Sequence, residues 1–273
     1  MSFRYYFRFF SSFFFCLLLS LLLPAQNTVS PTAGAKGAGM GNAMVALQGI
    51  ESAYANQAGL ATLDRFAFNL TAENRFLLPE LSQAYLAAAF PTNSGTFALT
   101  LRHFGFSEYN EQKIGLAYAR QLFDQLSIGV QFDYLNTRIN EYGSQGVFTF
   151  EAGLQTLILR KLQMGAHVFS PVSIALSENE NLPTILRLGI AYLASDKVTF
   201  AAEVEKDIDL PAQFRAGFEY QIANALFLRL GLGTNPTSVS FGVGYRINRF
   251  QIDVASNYHQ ILGVSPAGSF SYQ

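Results

Sequence analysis

Tryptophan is absent from the 273 residues, cysteine occurs once and histidine three times, and only 14% of the chain is charged, with a net charge of −1. Each shortage excludes something. The one cysteine, Cys16, lies inside an N-terminal apolar run, preceded by Phe13-Phe14-Phe15 rather than by the small residues of a lipoprotein cleavage site. No disulfide framework is available, so the fold must be held by other means. A charge balance near zero leaves no cationic stripe for nucleic acid or an acidic polymer. His103, His167 and His259 are scattered, without cysteine or clustered carboxylates beside them. That gives no metal-ligand spacing, and without a Gly-x-Ser-x-Gly elbow it gives no hydrolytic constellation either. Neither an enzyme nor a cofactor is expected. Gly37-x-Gly39-x-Gly41 lacks the strand before it and the βαβ unit after it that a dinucleotide fingerprint needs.

Long apolar runs are also missing, with one exception. Arg4 and Arg8 precede the run Phe13 to Leu23, which ends in Leu23-Pro24-Ala25-Gln26. This pattern predicts a cleavable signal peptide over 1–26 and export from the cytoplasm. No later stretch approaches the roughly 18 continuous apolar residues of a spanning helix. Membrane helices are excluded; membrane strands are not.

Alternation is what the chain has in quantity. Leu126, Ile128, Val130, Phe132 and Tyr134 are interleaved with Ser127, Gly129, Gln131 and Asp133, and the same period of two recurs over 226–232, 239–246 and 250–255. Read throughout, it predicts fourteen strands, at 65–75, 82–90, 95–104, 111–121, 125–136, 146–158, 162–169, 184–193, 197–206, 211–221, 225–233, 237–246, 249–258 and 264–272. Most have the length that a tilted strand needs to cross a bilayer. Short links near Asn93, Asp124, Arg160, Ser195, Ala223 and Asn248 alternate with longer ones such as 105–110, 138–145 and 170–183. That parity is the signature of an antiparallel transmembrane β-barrel.

The cost of a charge facing lipid, about 2 to 4 kcal/mol at mid-membrane, assigns the faces. Asp133, Glu151, Arg187, Glu203, Arg215, Glu219, Arg229 and Asp253 must look into the lumen, and with Arg246 and Glu205 they should form cross-strand ion pairs. The mixture of signs argues against an ion-selective pore, which would favour one sign along its constriction. The aliphatic and aromatic face, with Tyr118, Tyr134, Tyr192, Tyr220, Tyr245 and Tyr258 near strand ends, points to lipid as a partner. A soluble β-sandwich would also alternate, but its second face would be evenly hydrophilic. Here that face carries Gly115, Gly129, Gly153, Gly165, Gly189, Gly217, Gly231, Gly242 and Gly244, which leave room inside for something to fill.

Residues 27–64 do not alternate. They are too apolar for a disordered leader and too few for a core of their own, which suggests packing inside the mouth of the 65–273 barrel. Gly37-Ala38-Gly39-Met40-Gly41-Asn42-Ala43, followed by Ala53-Tyr54-Ala55-Asn56-Gln57-Ala58-Gly59-Leu60-Ala61, resembles the FadL family of outer-membrane transporters, including its PorV/PorQ branch in the Bacteroidota. In that family a glycine-rich start is followed by an Asn-Pro-Ala-Gly-like close; this chain has Gln57 in the proline position. The resemblance implies a fourteen-stranded barrel in the Gram-negative outer membrane with an N-terminal hatch, in which Gly37, Gly39, Met40, Gly41, Asn56, Ala58 and Gly59 take part. It implies one of two roles. One is a passive conduit for small hydrophobic molecules, with a lateral gap at a broken strand pairing. The other is a PorV/PorQ-like partner of type IX protein secretion, with a sealed barrel.

Overall fold

The computed structural model describes residues 34–177 and 180–273. The expected signal peptide and residues 27–33 lie outside them. Fourteen strands form one closed antiparallel barrel: β1 (Ala67–Asn74), β2 (Ser82–Thr92), β3 (Gly95–Gly105), β4 (Tyr109–Phe123), β5 (Leu126–Ile139), β6 (Gly143–Leu159), β7 (Leu162–Phe169), β10 (Ile185–Ser195), β11 (Val198–Asp207), β12 (Gln213–Ala223), β13 (Leu226–Gly233), β14 (Ser238–Ile247), β15 (Phe250–His259) and β16 (Gly263–Tyr272). Between β7 and β10, where the sequence predicts only a loop, β8 (Ala175–Ser177) and β9 (Glu180–Asn181) pair as a separate small hairpin. Every strand pairs with its sequence neighbours in the barrel, and β1 closes on β16 from Phe68↔Tyr272 to Glu73↔Ala267.

Burial follows the pleat. Phe132 is 67% exposed and Asp133 is 1% exposed, one residue apart. Leu116, Phe148, Leu188, Leu230, Phe241 and Val254 are likewise exposed. In water such an outer wall would be untenable, and its natural solvent is a lipid bilayer. Among the described residues no helix is long and apolar enough to cross a membrane.

The wall is continuous. The β1–β2, β2–β3 and β3–β4 registers run without interruption. Register shifts occur only beside short turns, at 121/123, 157/159, 193/195 and 221/223. No register shift breaks a ladder away from the turns, and the one interruption is at Pro266 in β16, beside which the β1–β16 ladder ends at Glu73↔Ala267 while β15–β16 pairing runs on to Gly263; among the described strands no wider lateral gap opens. The β4–β5–β6 ladders instead outrun their predicted ends. Tyr109↔Ile139 and Ile139↔Gly143 still pair beyond the stretch where apolar alternation stops.

Candidate functional site: the inner wall and the segment inside it

The inward face has two levels. Toward the short-turn end it is lined by small side chains: Ala67, Ala87, Ala89, Ala98, Ala117, Ala119, Ala191 and Ala201 are buried there. Glycines meet across the ladders as Gly129↔Gly153, Gly165↔Gly189 and Gly217↔Gly231. Residues 34–62 fill the space that this wall leaves. They form α1 (Gly34–Gly39), a 3-10 turn at Ile50–Tyr54 and another at Gln57–Thr62. Their apolar side chains, Met40, Met44, Leu47, Ile50 and Leu60, share one buried cluster with the wall alanines.

The fit is backbone against backbone. A Cβ on Gly217 would stand 2.6 Å from Met40 O, one on Gly129 2.9 Å from Ala58 Cα, and one on Gly165 2.9 Å from Ala46 Cα. Val45 faces Gly189, Asn56 faces Gly153, and Gly39 faces Gly242. The segment thus runs round the inner wall, and the wall side chains are missing where its main chain passes. Gly41 is constrained twice: its φ is +63°, and a Cβ would lie 2.9 Å from Leu232 O.

Polar side chains fix the ends of this path. Asn56 Oδ1 accepts from Ala58 N at 3.2 Å, capping the second turn, while its Nδ2 faces Val45 O at 2.8 Å and Leu154 O at 3.1 Å. Gln155 Nε2 donates to Val45 O and Leu47 O at 3.0 and 2.9 Å. Glu203 Oε2 accepts from the amides of Met44 and Val45 at 2.8 and 2.9 Å. Tyr54 donates to Asn69 Oδ1 at 3.2 Å and packs on Tyr85 with ring centroids 5.4 Å apart. Burial, with Glu51 and Tyr85 adding to it, pushes the Tyr54 phenol well above its ordinary value.

Of the residues singled out by the resemblance, Gly37, Gly39, Met40, Gly41, Asn56, Ala58 and Gly59 are all buried in this segment. Gln57, which departs from the family pattern, opens the second turn and donates from Nε2 to Glu151 Oε2 at 2.9 Å. A proline could not make that bond.

Nearer the long-link end the lumen is crossed by ion pairs. Arg187 meets Glu205 at 2.7 Å and Glu203 at 4.0 Å; Arg215 meets the same two at 2.8 and 3.5 Å. Arg229 lies 2.6 Å from both Glu219 and Asp253, but toward the short-turn end, three residues into β13 and beside Gly39 of α1. Two pairings differ from the sequence reading. Glu151 pairs with Lys113 and with His167 (2.9 Å) instead of an arginine. Arg246 is bonded to Gln251 at 2.8 Å and lies over the Phe227 ring at 4.6 Å instead of facing a carboxylate. Lys113, which also lies 3.3 Å from Asp133, was overlooked, although its place between Ile114 and the strand's other outward residues puts it on the inward parity.

The histidines share no site. His103 is outward on β3, His167 is in the lumen on β7, and His259 Nδ1 accepts from the amides of Ile261 and Leu262. On the outer surface, a depression of about 430 Å³ spans β16, β1, β2 and β3, lined by Ala72, Ala84, His103, Gly105, Pro266 and Gly268 among others.

No protein-family model matches the chain, and no curated protein matches it by sequence. Solved structures do match. The toluene transporter TbuX of Ralstonia pickettii has a TM-score of 0.70 at 14% identity, over 88% of this chain and 98% of its own. The toluene transporter TodX of Pseudomonas putida gives 0.69 at 13%, over 88% and 98%. A FadL homologue from Pseudomonas aeruginosa gives 0.63 at 13%, over 88% and 97%. At such identities the likeness is one of fold: this chain shares the barrel architecture of FadL-type transporters.

Proposed function

We propose that the barrel is a passive conduit for small hydrophobic molecules in the outer membrane of a Gram-negative bacterium, closed at rest by its N-terminal segment. In this reading residues 1–26 direct export, 27–64 are the hatch and 65–273 the barrel. One observation carries it: at the level of the segment the wall presents chiefly alanine, glycine and backbone, with a few larger side chains such as Gln155 and Glu203 bonded to the segment, so the lumen is blocked by a separable apolar strip and not by the wall itself. The fold shared with the toluene transporters and with a monoaromatic hydrocarbon channel supports the same class of cargo. The charged layer beyond the segment is a poor path for an apolar molecule along the axis. The route then leads sideways, and the outer depression over β16, β1, β2 and β3 is where small side chains bring lipid tails nearest the inner face. Strand pairing there must loosen for passage.

The test is conductance in planar bilayers together with toluene uptake by proteoliposomes, comparing the full chain with a variant lacking 27–60. The deletion should raise both; unchanged conductance would sink the hatch. A wall whose pairing shifts register only beside turns supports a second reading, a PorV/PorQ-like partner of type IX secretion. Its mark would be co-purification of the barrel with secretion proteins in mild detergent, with no bound apolar molecule in native mass spectra.

A further inference from the structure

Glu51 lies in the Ile50–Tyr54 turn of the N-terminal segment. It is 1% exposed, yet neither carboxylate oxygen has a hydrogen-bond partner among the described residues. Its surroundings are fixed by two glycines. A Cβ on Gly34 would lie 3.5 Å from Glu51 Cγ, 3.4 Å from Thr71 Oγ1 and 3.8 Å from Asn69 Oδ1. A Cβ on Gly49 would lie 3.5 Å from Glu51 Oε2 and 3.4 Å from Gln273 Oε1. The carboxylate therefore sits beside the seam where β1 closes on β16.

Across that seam Asn69 is opposite Ser271 and Thr71 is opposite Ser269, all four on the inward face. Ser269 Oγ, Ser271 Oγ and Asn69 Nδ2 are buried and, like Glu51, have no partner among the described residues. Asn69 Oδ1 is held in place by Tyr54 and by Thr71, the latter at 2.8 Å. Three buried, unpartnered side chains and the free Nδ2 of a fourth in one corner are not a packing accident, since each such group is costly to bury alone and an ionised carboxylate most of all.

The donors are a carboxylate, hydroxyls and amide oxygens, which is the chemistry that hard cations take, and a coordinated water would answer Asn69 Nδ2. We propose that Glu51, with Ser269, Ser271, Thr71 and Asn69, binds a hard metal cation of the Ca²⁺ or Na⁺ class inside the barrel, partly through water. Bound there, the cation ties residues 50–54 to the closing seam. The inference stands whether or not the barrel conducts.

The test uses the full chain in detergent, stripped with a chelator and exchanged into tetramethylammonium chloride. CaCl₂ and NaCl are titrated in separately at constant ionic strength while thermal unfolding is followed. Terbium luminescence sensitised through tyrosine, Tyr54 being bonded to Asn69, reports occupancy directly. At least one cation should raise the unfolding temperature saturably and displace terbium, and both signals should be lost in Glu51→Gln. Asn69→Asp, which adds a second carboxylate, should strengthen Ca²⁺ binding relative to Na⁺, and it serves as the readout if Glu51→Gln does not fold. The proposal is overturned by a melting temperature indifferent to every cation, or by a response that Glu51→Gln retains. It is also overturned by a protonated carboxylic-acid infrared band that disappears in Glu51→Gln, which would mean the side chain is carried as a neutral acid.

Discussion

Gly217 and Gly268 are both strand glycines, yet they differ in what they would tolerate. A Cβ on Gly217 meets Met40 O at 2.6 Å, whereas one on Gly268 meets nothing within 4 Å because it faces outward. Gly217→Val should destabilise the barrel by about 1–3 kcal/mol through overpacking, read as a lower unfolding temperature, with faster proteolysis of residues 34–62. Gly268→Val should change stability by no more than about 0.5 kcal/mol. Tyr54 yields a prediction in pH. Its phenol holds a proton more tightly folded than unfolded, so its contribution is complete below about pH 10 and is lost as pH climbs from there toward the raised value. Tyr54→Phe should therefore flatten the alkaline fall in unfolding temperature. Sequence parity revealed which side each of these wall residues faces. It did not reveal partners, because a period of two fixes a side chain's direction and not its reach: Lys113 and Gln57 both converge on Glu151 from elements far apart in the chain.

The N-terminal segment is an element without a repeating period. Its glycines and its Asn56-Gln57-Ala58-Gly59 close were visible in the sequence, but its path was not. That path is set by main-chain approach to wall glycines many residues downstream, which no local pattern encodes. The strands were the opposite case. Fourteen were legible because each must show lipid one face and the lumen the other. Where that demand ends the reading failed, as in the extended ladders of β4, β5 and β6 and in the small β8–β9 hairpin. Anchoring of the segment should be measurable at Glu203, whose Oε2 accepts from two of its amides. Glu203→Gln should cost about 1.5–3 kcal/mol, and hydrogen exchange followed by mass spectrometry should show the Met44 and Val45 amides losing protection before any barrel strand does.

At the scale of the molecule, lipid outside and a packed strip inside give the two faces of one wall opposite rules. Phe132→Arg puts a charge against acyl chains and should cost about 2–4 kcal/mol if its level is near mid-membrane, measured by urea titration of folding into vesicles. The inner rule has another result. Because the wall grips main chain and offers few side chains of its own, residues 34–62 relate to the barrel much as a peptide ligand relates to its receptor. They are joined to it only by Leu63–Phe66 before β1 begins. So short a tether holds a ligand at an effective concentration of the order of millimolar. Modest intrinsic affinity then suffices to keep the lumen shut, and cutting that tether should turn a permanent closure into one that dilution can reverse.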